Sequence, residues 1–148
     1  MTPANARTEA IRHNHEELLD LCGQLETIAD SLPFELDHEL CREVADRIVP
    51  VLTRTQTVEE LVLYPFLEES AGSCFSAMTI DRLKGEHMCD RIAAEEVALT
   101  LEAVLDNRCG LTFETVGYML RGFFECLRRH VAAERSLIEM FGTPDSVM

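Results

Sequence analysis

Residues Thr112 to Gly142 read TFETVGYMLRGFFECLRRHVAAERSLIEMFG. Between that threonine and that glycine, Phe123, Leu127, Leu137 and Phe141 recur at the spacing of one helix face. His130 stands on the same face, seven positions after Phe123 and seven before Leu137, and Glu134 follows one turn later. An apolar helical stripe interrupted by an imidazole and a carboxylate is the pattern from which the rest of the chain can be read.

Working outward, Gly and Pro residues divide the chain into four long segments. The expected helices run over about 8–30, 37–69, 79–107 and 112–141. The first carries the stripe Ile11, Leu18, Cys22, Leu25, Ile28; the third carries Leu83, Ala94, Val97, Leu101, Leu105. Asp37 is a good N-cap for the second helix and Thr79 a plausible one for the third. Pro50, inside the second, predicts a kink or a short break there. Strand alternation is sustained nowhere, and the short first and third connections make consecutive helices antiparallel neighbours. The expected fold is all-α: an up-down-up-down four-helix bundle, one domain over residues 1–148.

Composition narrows the partners. With 148 residues and 47 % apolar content, the chain can bury a core without disulfides. A formal net charge of −14 repels phosphate backbones and anionic lipid, so the expectation is no nucleic acid and no membrane partner. The apolar runs around Leu61 to Leu67 and Val97 to Leu101 are too short to span a bilayer. Residues Met1 to Arg7 lack the apolar core of a signal peptide, and the expected location is cytoplasmic. The six cysteines include no C-x-x-C pair, so most are read as small buried apolar residues, with Cys74 the most exposed thiol.

The residues that break the stripes carry the chemistry. His15 lies three before Leu18; Glu59 lies four before Leu63; His87 lies four after Leu83. A buried carboxylate needs a cationic partner, so Glu59 and Glu134 demand one. A single core histidine is usually a packing residue; the joint placement argues otherwise. At about 1.5 Å per residue, His15, Thr55, Glu59, His87 and His130 fall within roughly two turns of one depth in an antiparallel bundle. The chain also reads as two similar halves, His15 followed by Thr55-x-x-x-Glu59 and His87 followed by His130-x-x-x-Glu134.

At these residues the chain resembles the hemerythrin-like, HHE cation-binding family. The resemblance covers nearly the whole chain and rests on four stretches. They are Ile11-Arg12-His13-Asn14-His15-Glu16-Glu17-Leu18, Glu59-Glu60-Leu61-Val62-Leu63-Tyr64-Pro65-Phe66-Leu67, Leu83-Lys84-Gly85-Glu86-His87 and His130-Val131-Ala132-Ala133-Glu134. It implies a hemerythrin-like bundle with a non-haem di-iron centre; with Thr55 at one ligand position the expectation is one or two Fe, Mn being the alternative. His15, His87 and His130 are the implied imidazole ligands, and Glu59 and Glu134 the implied bridging carboxylates. Where the family pattern has a further His, this chain has Thr55, which leaves the first half-site short of an imidazole. His13 points roughly 200° away from His15 and is a poor substitute. Arg91, one turn after His87, is expected either to neutralise a carboxylate or to reach outward.

Three functions stay open at this point. The resemblance implies a module that binds or senses O2 or NO, or reports iron or redox state. An iron enzyme acting on peroxide, O2 or NO, or in iron–sulfur repair, is the alternative, as is a metal-free regulatory bundle. A homodimer is compatible with any of them. Leu83-Lys84-Gly85 also resembles a histidine-phosphotransfer signature, but Arg82 and Asp81 stand where that signature needs an exposed His. His38, Tyr64 and the acidic residues Glu35, Asp37, Glu39, Glu95 and Glu96 are read as solvated or packing residues.

Overall fold

The computed structural model describes residues 3–70 and 72–142. Met1, Thr2, Ala71 of the expected second turn and the last six residues lie outside the described residues. Helix α1 spans Pro3–Ser31, α2 His38–Val58, α3 Tyr64–Ser70, α4 Cys74–Leu105 and α5 Phe113–Phe141. A π-helical turn, Glu59–Leu63, joins α2 to α3 without a break, so the two form one rod and the bundle has four. The rods pack in antiparallel order, α1 against α2 and α5, and α4 against α2 and α5. The all-α four-helix bundle is therefore observed.

Local chemistry explains the boundaries. The Asp37 side chain accepts from the backbone N–H groups of Glu39 and Leu40 at 3.0 and 3.2 Å, capping α2 as expected. The cap of α4 is Ser73 rather than Thr79: its hydroxyl accepts from the Ser76 N–H at 3.1 Å and starts the helix earlier. Thr112 caps α5 in the same way, from the Thr115 N–H. Pro50 does not break α2. It sits on the exposed face, where the carbonyl it leaves unbonded is reached by water. The irregularity falls instead at the π turn, beside the polar interior residues.

The core is split in two. The larger apolar cluster is built around Leu18, Cys22, Leu25, Ile48, Leu52, Leu101, Leu120 and Phe124. The smaller one gathers Ile11, Leu63, Tyr64, Leu67, Ile80, Leu83 and Leu137. Each large side chain removed from water contributes about 1.5–3 kcal/mol. On every rod the switch from one cluster to the other passes through a polar residue: His15 on α1, Thr55 and Glu59 on the second rod, His87 on α4, His130 and Glu134 on α5. The polar layer is thus sealed above and below by hydrocarbon.

The cysteines depart from expectation. Only Cys22 and Cys41 are buried; Cys74, Cys89 and Cys126 are exposed and Cys109 is half-buried. Cys89 and Cys126 line a cleft between α4 and α5 instead of entering the core. The buried pair holds two different seams: the Cys22 thiol faces the Phe124 carbonyl of α5, and the Cys41 thiol the Leu101 carbonyl of α4. No described helix is long and apolar enough to cross a membrane.

Candidate metal centre

All five residues singled out in the sequence meet in the polar layer, and all are buried. Three triads among the described residues have ligand atoms within 4.8 Å of one another: His15 with Glu59 and Glu134, His87 with His130 and Glu59, and, at the rim, Glu86 with Asp90 and His130. Glu59 belongs to the first two. The His15 Nε2 lies 3.0 Å from Glu134 Oε1. The His87 Nε2 lies 2.6 Å from Glu59 Oε2, and the His130 Nε2 lies 3.4 Å from both Glu59 Oε2 and Glu134 Oε2. The two imidazoles of the α4–α5 half-site stand with ring centroids 5.4 Å apart.

The π turn shapes this arrangement. Residues five apart on an α-helix point about 140° away from each other. The wider π turn has an i to i+5 bonding pattern, which brings Glu59 and Tyr64 to the same side. Tyr64 is fully buried, and its hydroxyl donates to Glu134 Oε2 at 2.8 Å. The same oxygen lies 3.0 Å from His87 Nε2, 3.3 Å from His130 Nε2 and 3.3 Å from Glu59 Oε2. Tyr64 therefore stands in the middle of the α4–α5 half-site, not merely in the packing beside Pro65. Its place in the Glu-Glu-x-x-Leu-Tyr-Pro stretch, five after Glu59, was the signal in the sequence, legible only once the π turn is known.

Thr55 is buried in the layer but turned away from it. Its hydroxyl donates to the Val51 carbonyl of its own helix at 2.8 Å. The α1–α2 half-site accordingly offers one imidazole, His15, with the two shared carboxylates. His13 does not replace the missing ligand: it is exposed and pairs with Glu17 at 3.3 Å. His38 is exposed as well. Arg91 follows neither expected course. It donates to Gln56 Oε1, and Gln56 in turn donates to the His87 backbone carbonyl at 2.9 Å, which buttresses that turn of α4.

Three carboxylates that the sequence reading passed over border the centre. Glu60 Oε1 lies 2.8 Å from His87 Nδ1 and Glu86 Oε2 lies 2.8 Å from His130 Nδ1, with Asp90 Oδ2 at 4.0 Å. Asp90 and Glu86 also line a cleft of about 490 Å³ between α4 and α5, to which the buried His130 contributes.

Electrostatics favour a cation here. Burial pushes the Glu59 carboxyl up; hydrogen bonds from His130 and His87 oppose this, and the nearby Glu134 reinforces it. Burial acts on Glu134 too, but hydrogen bonds from His130 and His15 outweigh it and hold its carboxyl below the usual range. The same contacts act on His130: burial lowers its pKa, yet Glu134 and Glu59 raise it to about 11. His87 is likewise raised, burial being overcome by Glu59 and Glu60. Tyr64 is pushed far up by burial and by the charges of Glu134 and Glu59, so its hydroxyl keeps its proton. Among the described residues of the layer, the buried Glu59 Oε1 has no hydrogen-bond partner. An orphaned buried oxygen, on a carboxylate whose other oxygen faces two imidazole nitrogens, fits a metal ion held by nitrogen and oxygen donors.

Comparisons with curated proteins and with solved structures return no match. The hemerythrin HHE cation binding domain family matches residues 6–140, a span that holds all but the outer ends of the first and fourth rods and every residue of the triads. The chain belongs to the hemerythrin HHE cation-binding domain family.

Proposed function

We propose that this chain is a non-haem iron protein whose buried centre binds or senses a small diatomic ligand, O2 or NO, or reports iron or redox state. The observation that carries the reading is the shared Glu59, whose Oε2 faces both imidazoles of the α4–α5 half-site and whose Oε1 lacks a partner. His15, Glu59, His87, His130 and Glu134 would hold the metal, one ion or two. Iron with open coordination positions would supply the capacity to bind such a ligand.

The chain's own residues supply the rest. The two apolar clusters close the layer above and below, and the burial of its five residues strengthens the charge interactions among them. Tyr64 keeps a proton at its hydroxyl and holds Glu134 in place through it. Gln56 and Arg91 hold the His87 turn. A second reading, an iron enzyme, is favoured by Thr55: with that side chain bonded to its own helix, the α1–α2 half-site has fewer protein ligands than its twin. Tyr64 would then offer its hydroxyl as a hydrogen-bond donor within the α4–α5 half-site.

The test is metal analysis of protein expressed with ample iron and purified without oxygen, with absorption spectra before and after NO. Bound iron and a spectrum that responds to NO or O2 are expected. Turnover of peroxide or NO, abolished by His130→Ala, would move the assignment to the enzyme. Protein that takes up neither Fe(II) nor Mn(II) would sink both readings and leave the metal-free bundle.

A further inference from the structure

A histidine that binds metal through Nε2 must carry its proton on Nδ1, and whatever accepts that proton fixes the tautomer, the ring angle and the basicity of the ligand. In the α4–α5 half-site both Nδ1 atoms face a carboxylate, Glu60 for His87 and Glu86 for His130, each at 2.8 Å. Both Nε2 atoms are thereby aimed inward at Glu59 Oε2. Around the bundle the pattern repeats: Glu59 points in while its neighbour Glu60 serves the histidine of the next rod, and His87 points in while its neighbour Glu86 serves the one after. It stops there. Asn14, the neighbour of His15, accepts instead from Arg54 at 3.2 Å. Among the described residues, no carboxylate is paired with the Nδ1 of His15, whose ion pair is made through Nε2.

We infer that Glu60 and Glu86 are positioning residues that set the order of metal filling, making the α4–α5 half-site the first and the tighter of the two. That half-site has two imidazoles, each backed by a carboxylate. The other has one imidazole without such backing, and Thr55 bonded to its own helix. Glu60 is 50 % and Glu86 37 % exposed, so water can reach the place of either carboxylate once it is removed. Their effect is exerted through the imidazoles. The inference rests on the metal-binding reading above.

The experiment is a Mn(II) titration of the full chain, followed by calorimetry and by the electron paramagnetic resonance of free Mn(II). Glu60→Gln, Glu86→Gln and the double variant are compared with the parent. Glu43→Gln removes a surface carboxylate remote from the layer and controls for the loss of one negative charge. Each site variant should weaken the first Mn(II) about 10–100-fold, with the double variant weaker still. The weaker second binding and the thermal midpoint of the metal-free protein should stay close to the parent. A purely structural role would lower that midpoint and leave the first affinity alone. Parental affinity in both variants, or a loss no larger than that of Glu43→Gln, overturns the inference and leaves metal binding intact. A parent chain that binds neither Mn(II) nor Fe(II) overturns it together with the function proposed above.

Discussion

Tyr64 shows what one residue can carry in a dry interior. Its hydroxyl donates to Glu134 Oε2 at 2.8 Å, the shortest contact that oxygen makes, in a layer held between two apolar clusters. Tyr64→Phe should destabilise the metal-free protein by about 1–3 kcal/mol, read from denaturant unfolding; an unchanged midpoint would show that the oxygen finds another donor. His130 sets a pH dependence. Its pKa rises from an ordinary value near 6.5 to about 11 in the fold, so its pairing stabilises the metal-free chain fully below about pH 6.5. That contribution is lost as pH climbs through about 11. A metal must expel the proton, so Mn(II) affinity should rise between pH 6 and 9, by about tenfold per unit for each proton displaced. A flat profile would mean that no imidazole is charged before binding. The sequence made the inward residues legible, because His15, Glu59, His87, His130 and Glu134 interrupt apolar stripes. Glu60 and Glu86 interrupt nothing, since they sit on the rim where a carboxylate is ordinary, and only the pairing of rods gives them a role.

Among the elements, the second rod departs furthest from a regular helix. Pro50 was expected to disturb it and does not break it, whereas the π turn that begins at Glu59 was unforeseen. The reason is physical: a proline on the wet face leaves its carbonyl to water, while no residue type in Glu59–Leu63 marks a π turn by itself. Its cause is the demand that Glu59, Leu63 and Tyr64 all be buried. Because Pro50 lacks the N–H that α2 could use, Pro50→Ala should stabilise the bundle, by up to about 3 kcal/mol, and raise the thermal midpoint. A lowered midpoint would assign the proline a packing role that the exposed position does not show. Helix starts were legible where an Asp or Thr cap stands at a clear composition change, as at Asp37 and Thr112. The start of α4 was not: Thr79 stands where a cap could, but the chain is already helical from Cys74 behind the Ser73 cap.

For the whole molecule the dominant surface property is charge. A net −14 on 148 residues makes the compact state repel itself, and salt screens that repulsion. The thermal midpoint of the metal-free protein should therefore rise between about 10 mM and 150 mM salt, where the Debye length falls from roughly 30 to 8 Å; a fall would place the balance in the many surface ion pairs instead. The bundle and its two-halved pattern were readable from stripes and short connections, whereas the burial of each cysteine depended on where the seams run. Those seams give the molecule a pair of internal reporters. Cys22 sits where α1 meets α5 and Cys41 where α2 meets α4, and burial raises their thiols to about 12 and about 11, so neither reacts while closed. The rate at which each is alkylated then clocks the opening of its own seam, and an unequal pair of rates would reveal which side of the bundle breathes first.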